Sequence, residues 1–353
     1  MRPRLILHAG THKTGTTAIQ KFAAGHRPAL RASGLFYPRL PVQGTEASND
    51  HHSIGHAFAT VPKKLTAQQA DALFGIWREG GAARGETTFV STETVWRHVL
   101  TDRKVDARSL GAEEWMEGRR RYVGRLADAV EGFDVEAIVV FRDPVEFVRA
   151  VYAENIHAGV RGLSQSFTAR LEGLLRSVAR YGENARLFAG ALGRVRCLEY
   201  DALREGGLIP GFFRELGHAV EDGGDRVVRR SMSPARAHAV NIAKGFAPRE
   251  ATRAQVDAMI AAPEVAGRID AYEEANPGAD VWASGAERAA FIAAMEPQMA
   301  ILEREFAFDC GPWRARFAEL EEVVPLREAD GAFRDGLARA VAEWWRRAED
   351  REA

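Results

Sequence analysis

Apolar residues along the chain gather in a few short unbroken runs separated by stretches of helical period. Leu5-Ile6-Leu7 and 136–141 are nearly unbroken, the mark of parallel strands buried on both faces, and Thr87–Ser91 and 194–200 read as further strands. Residues 16–24 follow the first run as a helix. Residues 112–130 repeat Met116, Val123, Leu126, Ala127 and Val130 on one helical face, while 166–180 reads as helix and 208–216 as a short helix with Gly217 placed to end it. A brief extended piece, 34–38, ends at Pro38, and 42–56 is polar with turn composition. Strands alternating with helices predict an α/β fold, a P-loop-like parallel sheet flanked by helices. From about Pro248 the pattern is wholly helical. Ser284 and Glu287 have capping-box spacing ahead of Phe291, Met295, Met299 and Leu302, and the last helix sets Phe333, Leu337, Val341 and Trp344 on one face. The expected organisation is an α/β core over 1–245 and a helical C-terminal extension over 246–353 packed on it.

Composition changes this picture little. With 353 residues the chain exceeds the size at which one core stops growing, and its net charge of −1 supplies no general field to gather nucleic acid. Arginine outnumbers lysine 42 to 6, so an arginine is weak evidence of function and a lysine inside a loop is stronger. The Arg119-Arg120-Arg121 run reads as a solvated helix face. Two cysteines, Cys197 and Cys310, make no disulfide framework and read as core thiols. No apolar run approaches a membrane span or a signal-peptide core, so the expectation is a cytoplasmic protein with no membrane span and no nucleic-acid partner.

The chemistry concentrates where strands give way to helices. After Leu5-Ile6-Leu7 comes a loop with Gly10 and Gly15 at Walker A spacing, but Thr16 stands where that motif has lysine, and the lysine comes three residues early, at Lys13. Strand, glycine loop and a helix opened by Thr16-Thr17 aim backbone N–H groups at an anion. Arg142-Asp143-Pro144 after the 136–141 run forms a second such corner. Ser91 and Glu93 fall at the end of a further strand, the position of the ligand crevice in parallel sheets. Glu93 reads either as a base or as a first-turn glutamate favoured by the helix dipole. Trp96 reads either as a platform for a sugar ring or as a half-buried helix tryptophan. His51 and His52 are candidates for a substrate or base role. His52 and His56, four apart, lack a third metal ligand, and no metal is expected.

The order Lys13-Thr14-Gly15-Thr16-Thr17 after an apolar strand resembles the 5′-phosphosulfate loop of the PAPS-dependent sulfotransferases, and RDPVEFVRAVY from Arg142 is similar to their 3′-phosphate segment. Ser91-Thr92-Glu93 resembles the Ser-Ser-Glu of bacterial members, Asn49 to His52 their Asn-His segment, and the stretches 199–217 and 229–234 their counterparts. The likeness spans roughly residues 5–234. It implies transfer of the sulfuryl group of PAPS, leaving PAP, to a hydroxyl or amine of a small-molecule or carbohydrate acceptor, with no metal. By the same resemblance, His12, Lys13, Thr14, Gly15, Thr16 and Thr17 would hold the 5′ end. Arg142 would read the 3′-phosphate, helped by Arg230, and Ala150 occupies the slot of a family serine, so that grip is weaker or supplied by another group such as Arg149. Lys13 would be catalytic, with Glu93 first and His52 second as base. The alternative is a P-loop nucleotide-dependent kinase, favoured by the glycine spacing and by Asp143 as a Mg²⁺ partner. A non-catalytic binding protein is a third class.

Overall fold

The computed structural model describes residues 2–40, 50–102, 107–163, 166–221, 232–326 and 329–352. Five parallel strands make one sheet: β1 (Arg4–His8), β2 (Leu35–Phe36), β3 (Thr87–Ser91), β4 (Asp134–Phe141) and β5 (Arg194–Glu199), in the order β2-β3-β1-β4-β5. The fold is therefore the α/β class that the runs predict, with helices flanking a P-loop-like parallel sheet. β4 earns its place by burying seven of its eight residues, which only a strand covered on both faces can do. On one face Ile6, Phe89, Ile138 and Val140 pack with Ile19 of helix Thr16–Gly25 and with Phe212 and Phe213 of helix Leu208–Glu215.

β1 is central, and the register pairs His8 with Ser91 on one side and with Ile138 on the other. Chain order reverses across β1, since β2 and β3 lie to one side and β4 and β5 to the other. That is the switch point where strand ends splay and a crevice opens. Pairing with β4 continues past β1, through Ala9 N–H to Ile138 O at 2.9 Å and Thr11 N–H to Val140 O at 3.2 Å, so the loop leaves the sheet only at His12.

The chain divides into two compact units. One is made of 1–144, 173–228 and 294–318 and carries the sheet; the other is made of 145–172, 229–293 and 319–353. The described part of the second unit is helical apart from one isolated bridge, Asp280 to Pro325. It is drawn from three segments rather than from one C-terminal stretch. Within it the buried ammonium of Lys244 donates to the carbonyls of Ile156, His157 and Gly159 at 2.8, 3.0 and 2.6 Å, capping the end of helix Pro144–Ala158. The stripe Phe291, Met295, Met299 and Leu302 is buried, as are Leu337 and Val341.

Several expectations change here. Helix Ala67–Arg84, eighteen residues opened by a Thr66–Gln69 capping box and closed by Gly85 at φ 66°, has no counterpart in the apolar pattern. Trp96 is fully buried, stacks parallel to Phe188 and donates its indole N–H to Val178 O at 3.0 Å, so it is a core tryptophan and no sugar platform. Of the arginine run, Arg120 is exposed and Arg121 pairs with Asp102, but Arg119 is buried completely. Its guanidinium donates to Val95 O, His98 O and Asn184 Oδ1 at 2.8, 2.5 and 3.0 Å, lies over the rings of Trp115, Tyr122 and Phe188, and is drawn down to about 10 by burial. It ties off the 3₁₀ turn Glu93–Trp96 that carries the candidate base. Arg119→Leu strands those carbonyls without donors, at about 1–3 kcal/mol per stranded group, so a loss of about 2–4 kcal/mol is expected in urea unfolding. An unchanged midpoint would mean that the carbonyls find other donors.

Candidate functional site

The loop after β1 is built by its glycines and threonines. Gly15 is the N-cap of helix Thr16–Gly25 at φ 73°, and a Cβ there would lie 2.1 Å from Leu208 Cδ2, so both the backbone and the packing demand glycine. Lys13 also sits in the left-handed region, at φ 67°, where a side-chain-bearing residue is strained. Thr11 Oγ1 donates to Val140 O at 3.0 Å and Thr14 Oγ1 to Thr11 O at 2.6 Å, which ties the loop to β4 and to itself. Thr17 is exposed.

Three buried polar atoms of this region have no hydrogen-bond partner among the described residues, His8 Nε2, Thr16 Oγ1 and His12 Nε2. A Cβ on Gly10 would lie 2.8 Å from the first, 3.3 Å from the second and 3.2 Å from Thr14 Oγ1, so these polar atoms stand close about the glycine and leave no room for a side chain there. With the free N–H groups that begin any helix, that donor set fits an oxyanion at the loop. Arg142, at the end of β4, reaches the same loop, Nη1 lying 3.5 Å from Lys13 O and the guanidinium over the Tyr200 ring.

Glu93 begins the 3₁₀ turn after β3 and comes to the loop from the other side. Its Oε1 is 3.4 Å from His12 Nδ1 and 3.9 Å from His52 Nε2. Burial works to raise the Glu93 carboxyl, but the hydrogen bond and charge of His12, with His52 and Arg97, outweigh it and hold the group at about 2. His52 opens helix His52–Ala57, which packs so closely that a Cβ on Gly55 would lie 2.0 Å from Thr94 Oγ1, while Thr94 Oγ1 donates to His52 O at 3.1 Å. His12, Lys13, Glu93 and His52 thus meet at the ends of β1 and β3.

His51 has a different task. Its Nδ1 accepts from Ser91 N–H at 3.1 Å and its Nε2 donates to Pro38 O at 3.0 Å, so both ring nitrogens are used in holding the segment to β3. Burial pushes it down to about 4, and His8 to about 3. Both histidines stay neutral in the fold while an unfolded chain takes up protons below about 6.5. Stability therefore rises with pH between about 4 and 6.5, by about 1.4 kcal/mol per unit for each fully buried histidine, and near pH 5 the pair should give about 2–3 kcal/mol per unit. Glu93, depressed, adds a loss between about 4.5 and 2. Urea unfolding at pH 7, 6 and 5 checks this, and a flat profile would mean that these rings are solvated.

Other sequence candidates fall elsewhere. Ala150 is a buried residue of helix Pro144–Ala158 in the second unit. Arg149 is no substitute anion ligand, because Glu146 at 2.7 Å and both carboxylate oxygens of Asp280 engage its guanidinium. Asp143 is buried, and Arg316 lies 3.5 Å from it while also holding Asp201 at 2.7 Å. Asn49 and Arg230 lie outside the described residues. The His56 and His98 rings are 4.4 Å apart, but among the described residues no group of three or more His, Cys, Asp or Glu is placed to hold a metal. Burial pushes the thiols of Cys197 and Cys310 up to about 12, which leaves them unreactive. Among the described residues, no helix is long and apolar enough to cross a membrane.

Two residues at the site carry no motif signal, Gln20 and Asp50. Gln20 Nε2 lies 3.1 Å from Ser91 O and 3.4 Å from His52 Nε2, and Asp50 Oδ1 accepts from His52 N–H at 2.9 Å and lies 3.6 Å from its Nδ1. Gln20 falls one turn into the helix after the loop, on its inward face, and only that periodicity points to it.

No family model matches the chain, and no curated protein matches it. Among solved structures, a tRNA delta(2)-isopentenylpyrophosphate transferase from Staphylococcus epidermidis is similar over 61% of this chain and 99% of that one, at 10% identity and a TM-score of 0.27, a likeness that bears on no detail of the site.

Proposed function

We propose that the chain is a PAPS-dependent sulfotransferase, moving a sulfuryl group to a hydroxyl or amine of a small-molecule or carbohydrate acceptor. The observation that carries this reading is the meeting of the anion loop and the proton-accepting pair, for His12, next to Lys13 in the loop, touches Glu93 at 3.4 Å, and Glu93 lies 3.9 Å from His52. In-line transfer needs positive charge where the leaving phosphate gathers negative charge, and a base where the acceptor loses its proton. Lys13 and the N–H groups of the Thr16–Gly25 helix end supply the first, and the Glu93–His52 pair supplies the second. The unpartnered polar atoms beside Gly10 suit a bound oxyanion, and Thr14, Gly15, Thr16 and Thr17 shape the loop around it. Arg142 reads the 3′-phosphate. A cytoplasmic setting and independence from metal belong to the same reading. The kinase alternative loses its Mg²⁺ partner in Asp143, whose charge Arg316 already meets.

Calorimetric titration tests the reading. The protein should bind PAP in preference to AMP, and most of that preference should vanish in Arg142→Ala, since a charge-assisted guanidinium contact is worth about 1.5–3 kcal/mol. Equal affinity for PAP and AMP in the wild type overturns the reading. A preference untouched by Arg142→Ala removes Arg142 from it.

A further inference from the structure

Two groups compete for the acceptor's proton, and the hydrogen bonding around His52 separates them. The carbonyl of Ser91 can only accept, so the Gln20 side-chain atom 3.1 Å from it is the amide nitrogen. The same nitrogen lies 3.4 Å from His52 Nε2. A donor facing Nε2 requires a lone pair there, which places the ring proton on Nδ1, and Nδ1 faces Asp50 Oδ1 at 3.6 Å. Gln20 is itself held, being buried between helix Thr16–Gly25 and the end of β3, and it cannot turn its oxygen to His52 without setting that oxygen against Ser91 O. Asp50 is fixed in turn by the His52 N–H at 2.9 Å. Glu93, by contrast, has its Oε1 taken up by His12.

We infer that His52 Nε2 is the proton acceptor of the proposed reaction and that Gln20 and Asp50 are its positioning residues, holding the ring in the Nδ1–H tautomer. The inference rests on the sulfuryl-transfer reading. The acceptor hydroxyl displaces the Gln20 amide from Nε2; as its oxygen bonds to sulfur, its proton passes to Nε2, and the bond from sulfur to the 5′-phosphate breaks with its electron pair. The new Nε2–H then faces Glu93 Oε1, 3.9 Å away, and Nδ1–H faces Asp50, so the imidazolium forms between two carboxylates. Glu93 stabilises the product of proton transfer and is not its first recipient.

Ring-nitrogen NMR of ¹⁵N-histidine-labelled protein reads the tautomer directly, without acceptor or donor. Wild type should show Nδ1 protonated and Nε2 bare at His52. Gln20→Glu, which turns the facing group from donor to acceptor, should invert the tautomer and lower kcat about 10–100-fold in an acceptor screen, with the PAP dissociation constant within twofold of wild type. Gln20 is buried, so the half-exposed Asp50 gives a second arm. Asp50→Ala should yield a mixture of tautomers, and Asp50→Asn, which can still accept from both N–H groups, should restore the single form. A protonated Nε2 in the resting wild type, or a tautomer indifferent to both positions, overturns the inference and leaves the sulfuryl-transfer reading intact. Failure of the wild type to bind PAP overturns that reading, and the base role with it, whichever tautomer is found.

Discussion

Lys13→Ala is expected to lower kcat for sulfuryl transfer by about 10²–10³, the loss usual when one donor to a developing negative charge is removed from a water-poor site. The fold should survive, because the Lys13 side chain is not part of the core and the loop is held by Thr11, Thr14 and the Ala9 and Thr11 backbone pairs with β4. The backbone sharpens the test. Lys13 stands at φ 67°, a conformation that costs a non-glycine residue about 1–2 kcal/mol, so Lys13→Gly should be at least as stable as Lys13→Ala and equally inactive. A strained lysine that a glycine could replace without loss of stability is kept for its ammonium. Thermal unfolding and single-turnover transfer measured on both variants decide the matter. Undiminished kcat in either variant removes Lys13 from catalysis, whereas glycine less stable than alanine shows that the strain is met elsewhere in the loop.

What the sequence made legible follows the range of the forces involved. β3 matches its expected bounds and β4 extends its run by two residues, because a strand buried on both faces carries an apolar centre, Phe89-Val90 in β3 and Ala137 to Phe141 in β4. The loop was legible because Gly15 and its neighbours answer to local backbone geometry. Helix Ala67–Arg84 was not, since alanine, glutamine and glycine dilute its apolar stripe to Ala70, Phe74, Trp77 and Gly81; only the Thr66–Gln69 spacing marked its start. Arg119 misled because a run of three arginines says nothing about which one points inward, and the carbonyls it caps lie more than twenty residues away in sequence. His51 and His52 are adjacent and chemically alike, yet one is locked between Ser91 and Pro38 and the other faces Glu93. Their separation depends on Ser91, forty residues from His51, and on Glu93, and the part played by Gln20 depends on residues 32 and 71 positions away. Composition and spacing carry no record of such pairings.

The Glu93–His52 pair is where those long-range contacts alter an expected result. From sequence alone Glu93 is the first choice of base, and Glu93→Gln would then cost the full contribution of general-base catalysis, about 10²–10⁴ in rate. In the fold the carboxylate is held at about 2 against the cost of its burial, chiefly by the hydrogen bond from His12, and so weak a base gains little by accepting a proton near neutral pH. In the tautomer inferred from its Gln20 contact, His52 presents a bare Nε2 to the same space. The larger loss is therefore expected from His52→Ala, about 10²–10⁴ in kcat with the PAP dissociation constant nearly unchanged, and a smaller one, about 10-fold, from Glu93→Gln, which keeps the shape but withdraws one of the two carboxylates that receive the imidazolium. Parallel kcat and KM measurements on the two single variants and the double variant check the order. If the two residues act as one unit, the double variant should lose little more than His52→Ala alone. A larger loss from Glu93→Gln than from His52→Ala would return the base role to Glu93, and losses that multiply would mean that the two act on different steps.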